Sequence, residues 1–182
     1  MKNHYFCKKN FMKPLVSIIM GSQSDYKVVK DAAIFLNDNE IPFELHALSA
    51  HRTPEEVKEF ASKAHERGIR IIIAAAGMAA HLPGVIASLT HLPVIGIPIN
   101  ASFDGLDALL SIVQMPPGIP VATVGVNGAR NAGILALQIL SIADNNLEKK
   151  LLEFKHDLKQ KVVDANNELS KEYFSYRTNA KQ

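Results

Sequence analysis

Short apolar runs and helix-patterned stretches take turns along this chain, and that alternation restricts the fold more than any other feature. The run 14-PLVSIIM-20 is short, apolar and partly β-branched, the pattern of a strand buried in a parallel sheet. After the break 21-GSQSD-25, Val28, Val29, Ala32, Ala33 and Leu36 recur at helical spacing. A second strand, 42-PFELHAL-48, is weaker because its apolar residues alternate with polar ones. Thr53-Pro54-Glu55-Glu56 reads as a capping box with proline at the first helical position. Val57, Phe60, Ala61 and Ala64 form the buried face of that helix, and Gly68 ends it as a left-handed cap. The strands 69-IRIIIAAA-76, 93-PVIGIPI-99 and 120-PVATVGV-126 follow. A helix-prone run comes after the first of these, and a helix over 128–144 after the last. Strands joined through helices pair in parallel with right-handed crossovers. The expected fold is α/β: a doubly wound parallel sheet in a three-layer αβα sandwich.

A chain of 182 residues suffices for one domain with its own core. That domain is placed at 14–146. Residues 1–13 are polar and basic, lack the apolar stretch of a signal peptide, and read as a mobile tail in which Met12 offers an alternative start. From Leu147 the pattern changes. Leu147, Leu151, Phe154, Leu158, Val162, Ala165 and Leu169 make one stripe of an amphipathic helix of about seven turns. The sheet already has helices for both faces, so 147–182 is expected to pack on a neighbouring subunit rather than across its own domain. A net charge of +2 and scattered lysines argue against nucleic acid. The apolar runs break too early for a membrane span. Cys7 is the lone cysteine, which leaves no intrachain disulfide or thiolate-rich metal site and fits a cytoplasmic location.

In open parallel sheets, ligands bind outside the carboxyl ends of the strands. Three loops leave those ends with chemically loaded residues: 21-GSQSD-25, 49-SAHRTP-54 and 76-AGMAAHLPG-84. In the first, Gly21 lets backbone approach a ligand, Ser22 and Ser24 offer hydroxyls, and Asp25 can accept from sugar hydroxyls. The plainer alternative is that Ser24 or Asp25 caps the next helix. In the second, His51 is of the type that gives and takes protons near neutrality, and Arg52 can fork onto a phosphate or carboxylate. Taken alone, such a pair is more often merely solvated. The third loop region holds six alanines or glycines between 74 and 80, with Met78 among them and His81 after them. Small residues leave room for a small apolar guest, or serve helix–sheet packing. His81 suits a structural hydrogen bond better than catalysis. No histidine pair has the spacing of a metal site, and neither a P-loop nor a GxGxxG loop occurs.

Together, 20-MGSQSD-25, 49-SAHRTP-54, 77-GMAAHLPG-84 and 111-SIVQMPPGIPVATV-124 resemble the bacterial-type N5-carboxyaminoimidazole ribonucleotide mutase family of purine biosynthesis. The resemblance runs in order from about Val16 to Leu140. It implies a flavodoxin-like fold, a homo-octamer, a small-molecule substrate and no cofactor. The implied reaction moves a carboxylate from the exocyclic amine of an aminoimidazole ribonucleotide to ring carbon C4, through CO2 held in the pocket. The resemblance also implies roles. His51 is the catalytic proton shuttle, and Arg52 holds the ribose 5-phosphate. Ser22 and Asp25 bind substrate with help from Ser24, while Ser49, Ala50, Gly77, Ala80 and Leu82 line the pocket. Met78 and Ala75 stand where many members have glycine, a change at the pocket floor that their small size or flexibility should let the family's site tolerate. Two other readings remain. One is a carboxylase that uses free CO2, but the animal-type branch carries Lys-Gly where Arg52-Thr53 stand here. The other is a flavodoxin-like binding module, which leaves His51, Arg52 and the third loop without a task.

Overall fold

The protein is described by a computed structural model over residues 13–178. The expected N-terminal tail, with Cys7 and Met12, therefore lies outside the described residues apart from Lys13. Compact packing divides the chain into two units, Met1–Leu140 and Ser141–Gln182.

The first unit is an α/β sandwich. Its strands are β1 Val16–Met20, β2 Phe43–Ala47, β3 Ile71–Gly77, β4 Val94–Ile99 and β5 Ala122–Thr123. Its helices are α1 Tyr26–Asp38, α2 Pro54–Ser62, α3 Leu82–Leu89, α4 Leu106–Val113 and α5 Ala129–Ser141, the boundary between the units falling at the end of α5. The sheet order is β2-β1-β3-β4-β5, with every pair parallel. That is the doubly wound order of flavodoxin-like folds, in which helices cover both faces. The strands β1, β3 and β4 are buried along their whole length, Gly77 excepted, because they lie inside the sheet and under both helical layers. Among the described residues the edge strand β2 pairs only with β1, and its burial alternates accordingly. Thus the weaker, alternating pattern of 42–48 belongs to an edge.

Side chains alternate across each strand and so feed two cores. Ile19, Ile72, Ala74 and Ala76 point to a core shared with Val57 and Phe60 of α2, Leu82 and Ile86 of α3, and Ile112 of α4. Ile18, Ile71 and Ile73 point the other way and are also fully buried. On α1, Val29, Ala32, Phe35 and Leu36 are buried, and Gly133 of α5 lies over Phe35. Gly96 in β4 permits a close helix–sheet approach: a Cβ there would stand 2.4 Å from Cγ2 of Ile112. At the amino ends, fully buried Ser17 donates to Glu44 Oε1 at 2.9 Å, and Arg67 Nη2 reaches the same oxygen at 2.9 Å. Burial opposes the charged form of Glu44, but the Arg67 and Ser17 hydrogen bonds and the Arg67 charge outweigh it and hold the carboxyl below its ordinary value.

Several local expectations need correcting. The helix α2 ends at Ser62, and Gly68, at φ +97°, closes a separate 3-10 turn over His65–Arg67 instead. Thr53 makes no side-chain bond to the helix it precedes, so the capping box does not form. The fifth strand keeps only Ala122–Thr123, and α4, which the sequence pattern did not single out, fills the crossover before it.

The second unit is built on α6, Asn145–Lys171. Its start is well defined: the Asp144 carboxylate accepts from the backbone N–H groups of Asn146 at 2.8 Å and Leu147 at 3.2 Å. Along its apolar stripe Leu158, Val162 and Leu169 are exposed. Among the described residues no helix is long and apolar enough to cross a membrane.

Candidate active site

Parallel pairing brings the loops after β1, β2 and β3 to one rim. Met20 is in register with both Ala47 and Ala75, so these three strands end at nearly the same level. Between their loops lies a cleft of ≈ 430 Å³. All ten expected site residues line it: Ser22, Ser24, Asp25, Ser49, Ala50, His51, Arg52, Gly77, Ala80 and Leu82. Gly21, Ala76, Met78 and Ala101 complete the lining. Ala101 went unread because it carries no reactive group. The available signal was positional, since β4 is parallel to β3 and delivers its following loop to the same rim.

In the first loop, the Ser22 hydroxyl accepts from the Ser24 N–H at 3.3 Å and so caps a 3-10 turn over Gln23–Asp25. The Ser24 hydroxyl lies 2.9 Å from Ser22 Oγ and 3.2 Å from Asp25 Oδ1. Asp25 occupies the N-cap position of α1, yet its carboxylate makes no capping bond. It lines the cleft instead. Burial pushes the Asp25 carboxyl above its ordinary value, and hydrogen bonds from Ser24 and the Ser22 backbone, with the Arg52 charge, offset only part of that rise.

The second loop is a tight knot. Ser49 O accepts from the backbone N–H groups of Arg52 at 3.2 Å and Thr53 at 2.8 Å. The Thr53 hydroxyl donates to Ser49 O at 3.1 Å and accepts from the Ser49 N–H at 2.9 Å. His51 and Arg52 sit at the exposed crest of this knot. Arg52 Nη2 donates to Gly21 O at 2.7 Å, which ties the second loop to the first. The remaining N–H groups of the guanidinium are left for an anion.

The third loop supplies an apolar floor. Gly77 lies against the fourth loop, where a Cβ on it would stand 3.0 Å from Cβ of Ala101. Met78 lines the cleft, is 62% exposed and has φ +58°. That left-handed backbone suits glycine and strains a side-chain residue by roughly 1–2 kcal/mol. Ala75, in contrast, is fully buried within β3 and is not part of the cleft lining. His81 also stays out of the lining; its ring lies over the first turn of α3, where a Cβ on Gly84 would be 2.0 Å from Nε2. Among the described residues no cluster of three metal-ligating side chains occurs.

The sequence profile of the AIR carboxylase family matches residues 15–161, which takes in every loop of the cleft. The chain belongs to the AIR carboxylase family. A relative from Pyrococcus abyssi, named N5-carboxyaminoimidazole ribonucleotide mutase, is 59% identical over 81% of this chain and 85% of its own length. A relative from Vigna aconitifolia, named phosphoribosylaminoimidazole carboxylase, chloroplastic, is 53% identical over 86% of this chain but only 28% of its own. Among solved structures, Treponema denticola PurE superposes with a TM-score of 0.76 at 29% identity, covering 86% of this chain and 98% of that one. The AIR carboxylase family match ends inside α6, so the family likeness includes the start of that helix as well as the sheet.

The raised Asp25 carboxyl gives a test of how the cleft is built. A carboxyl whose value rises on folding adds stability below its unfolded value, here 3.8, and that stability is lost as pH climbs through the folded value. Asp25→Asn removes the partly buried charge. The variant should therefore melt higher than the parent at neutral pH, with the gap closing as pH falls below 3.8. Thermal melts across that range decide it, and a variant less stable than the parent at neutral pH contradicts the electrostatic account.

Proposed function

We propose that the protein is an N5-carboxyaminoimidazole ribonucleotide mutase, which converts N5-carboxyaminoimidazole ribonucleotide to 4-carboxy-5-aminoimidazole ribonucleotide. One observation carries the reading: a loop bearing His51 and Arg52 faces, across one cleft, Asp25 and a floor of Ala76, Gly77 and Ala80. The parts match the chemistry required. Arg52 offers a planar set of donors for the 5-phosphate, and Asp25 and Ser22 accept from or donate to the ribose hydroxyls. His51 gives a proton to the carboxylated amine nitrogen as the N–C bond breaks and CO2 leaves. Ring carbon C4 then attacks that CO2 and forms the new C–C bond. His51, now neutral, removes the C4 proton and restores the aromatic ring. The proton account closes on one residue, and no redox partner or ATP enters. The small apolar floor holds CO2 near C4 and away from water.

The carboxylase alternative shares the same residues. The mutase is favoured because the Pyrococcus abyssi relative bearing that name is matched over 85% of its length, against 28% for the Vigna aconitifolia carboxylase, and because Arg52-Thr53 stand where the animal-type branch has Lys-Gly. The reading includes a homo-octamer in the cytoplasm. Leu152, Leu158, Val162 and Leu169 of α6 are 45% to 71% exposed, and Met78 is exposed at the cleft. Neighbouring copies would cover these surfaces, with pockets near the subunit contacts and residues 147–182 on the adjoining subunit.

The decisive experiment follows the carboxyl carbon. Substrate labelled with 13C in its N-carboxylate, turned over in unlabelled bicarbonate, should give product that keeps the label. Mostly unlabelled product means that free CO2 is used and transfers the assignment to the carboxylase. In the same assay His51→Gln should fold and bind substrate but lose roughly 10²–10⁴ in turnover, the usual worth of a general acid–base group. Turnover within about tenfold of the parent would move proton transfer to another residue. Light scattering should report about eight times 19.9 kDa; a monomer at micromolar concentration ends the assembly part of the reading.

A further inference from the structure

The His51 ring has no hydrogen-bond partner among the described residues, so what matters is how it is aimed. A catalytic imidazole is commonly oriented by a third group that bonds its second nitrogen. Here the ring is exposed, and the hydrogen bonds that hold its loop lie on either side of it, at Ser49, Arg52 and Thr53. Whatever fixes the loop therefore fixes the imidazole.

We propose that Thr53 is a positioning residue, whose hydroxyl holds the 49–53 loop in the conformation that presents His51 to the substrate. The proposal rests on the mutase reading above. Thr53 is placed like a helix cap, directly before Pro54, yet its side chain turns back from the helix. Its hydroxyl is used in both senses by one residue: it accepts from the Ser49 N–H at 2.9 Å and donates to Ser49 O at 3.1 Å. With the Thr53 N–H on Ser49 O at 2.8 Å, the loop is closed into a ring across its base. His51 stands midway between the two closing residues. The Ser49 hydroxyl adds one longer bond, accepting from the Arg52 N–H at 3.3 Å, whereas the Thr53 hydroxyl makes two bonds across the base of the loop, so most of the side-chain anchoring falls to Thr53. Arg52 differs, since its guanidinium has a separate anchor on Gly21 O at 2.7 Å. Loss of the Thr53 hydroxyl should thus displace His51 more than Arg52. Turnover should suffer, and substrate binding should largely hold.

The test compares Thr53→Val, which keeps the shape and removes the hydroxyl, with Thr53→Ser, which keeps the hydroxyl. Displacements of about 1 Å cost on the order of 10²-fold in rate. Thr53→Val should lower kcat by about 10- to 100-fold, with KM for the N-carboxylated substrate within about threefold. Thr53→Ser should restore kcat to within about threefold of the parent. In a His51→Gln background, Thr53→Val should cause no further loss, because two residues acting through one group are not additive. A purely structural threonine would instead give a loss that multiplies with His51→Gln, and that result overturns the proposal. So does an unchanged kcat in Thr53→Val, or a Thr53→Ser enzyme as slow as Thr53→Val. If Thr53→Val is unfolded at the assay temperature, Thr53→Ala is read in its place by the same criteria. A parent protein that fails to turn over the N-carboxylated substrate sinks the mutase reading itself, and an active parent with an indifferent Thr53→Val sinks only this one.

Discussion

The parallel pairing of β1 with both β2 and β3 is the constraint on which the cleft depends. Met20 meets Ala47 on one side and Ala75 on the other, and the backbone continues the ladder one step further, with Leu48 N–H on Met20 O at 3.0 Å and Gly21 N–H on Ala75 O at 3.3 Å. Three loops consequently start at one level and face one another. No loop needs to travel to reach the site, and each carries its reactive residues within a few positions of its strand. Side-chain bonds then adjust what the ladder has placed. Arg52 crosses to Gly21 O, and Gly77 admits Ala101 from the fourth loop. An antiparallel partner at any of these positions would send its loop to the opposite end of the sheet.

Stability and readiness for a ligand pull in different directions here. The strands are filled with isoleucine, valine and alanine, and the core behind the cleft is closed. At the rim the preferences reverse. Asp25 carries a carboxyl whose charge is opposed by burial, and spends it on no helix cap. Met78 holds a backbone conformation that suits glycine, and Phe103, Asp104 and Gly105 follow one another with positive φ in the loop after β4. Such strain persists only where surrounding structure over-determines it, and it gathers at sites that must meet something else. The Asn127 side chain helps to hold that fourth loop, accepting from the Asn100 N–H at 3.0 Å.

Much of this was legible in the sequence because burial on both faces leaves little freedom of pattern. Val16–Met20, Ile71–Gly77 and Val94–Ile99 are apolar runs that could scarcely be anything but inner strands of such a sheet. The chemistry was legible for a related reason: histidine, arginine, aspartate and serine directly after strands stand out against an apolar chain. What escaped notice had weaker local signals. The eight-residue α4 is squeezed between Gly105 and the proline pair at 116–117, too short for its spacing to register. Thr53 misled because a threonine before Pro-Glu-Glu has two competing uses for its hydroxyl, the helix ahead or the loop behind, and only the folded loop shows that Ser49 wins. Ala101 bears no functional group at all, and only topology points to it.

The position of β2 at the sheet's edge carries a last implication, for how the protein would age under heat. The strand has one partner instead of two, and its outward face leaves Leu45 38% exposed. Its beginning is fastened to its neighbour by Ser17, Glu44 and Arg67, whereas its far end runs straight into the His51 loop. Fraying that starts from that far end would disconnect the histidine while the inner strands stay intact. Loss of function and loss of fold then become separate events, and the working lifetime of the protein belongs to five residues at its margin rather than to the bulk of its core.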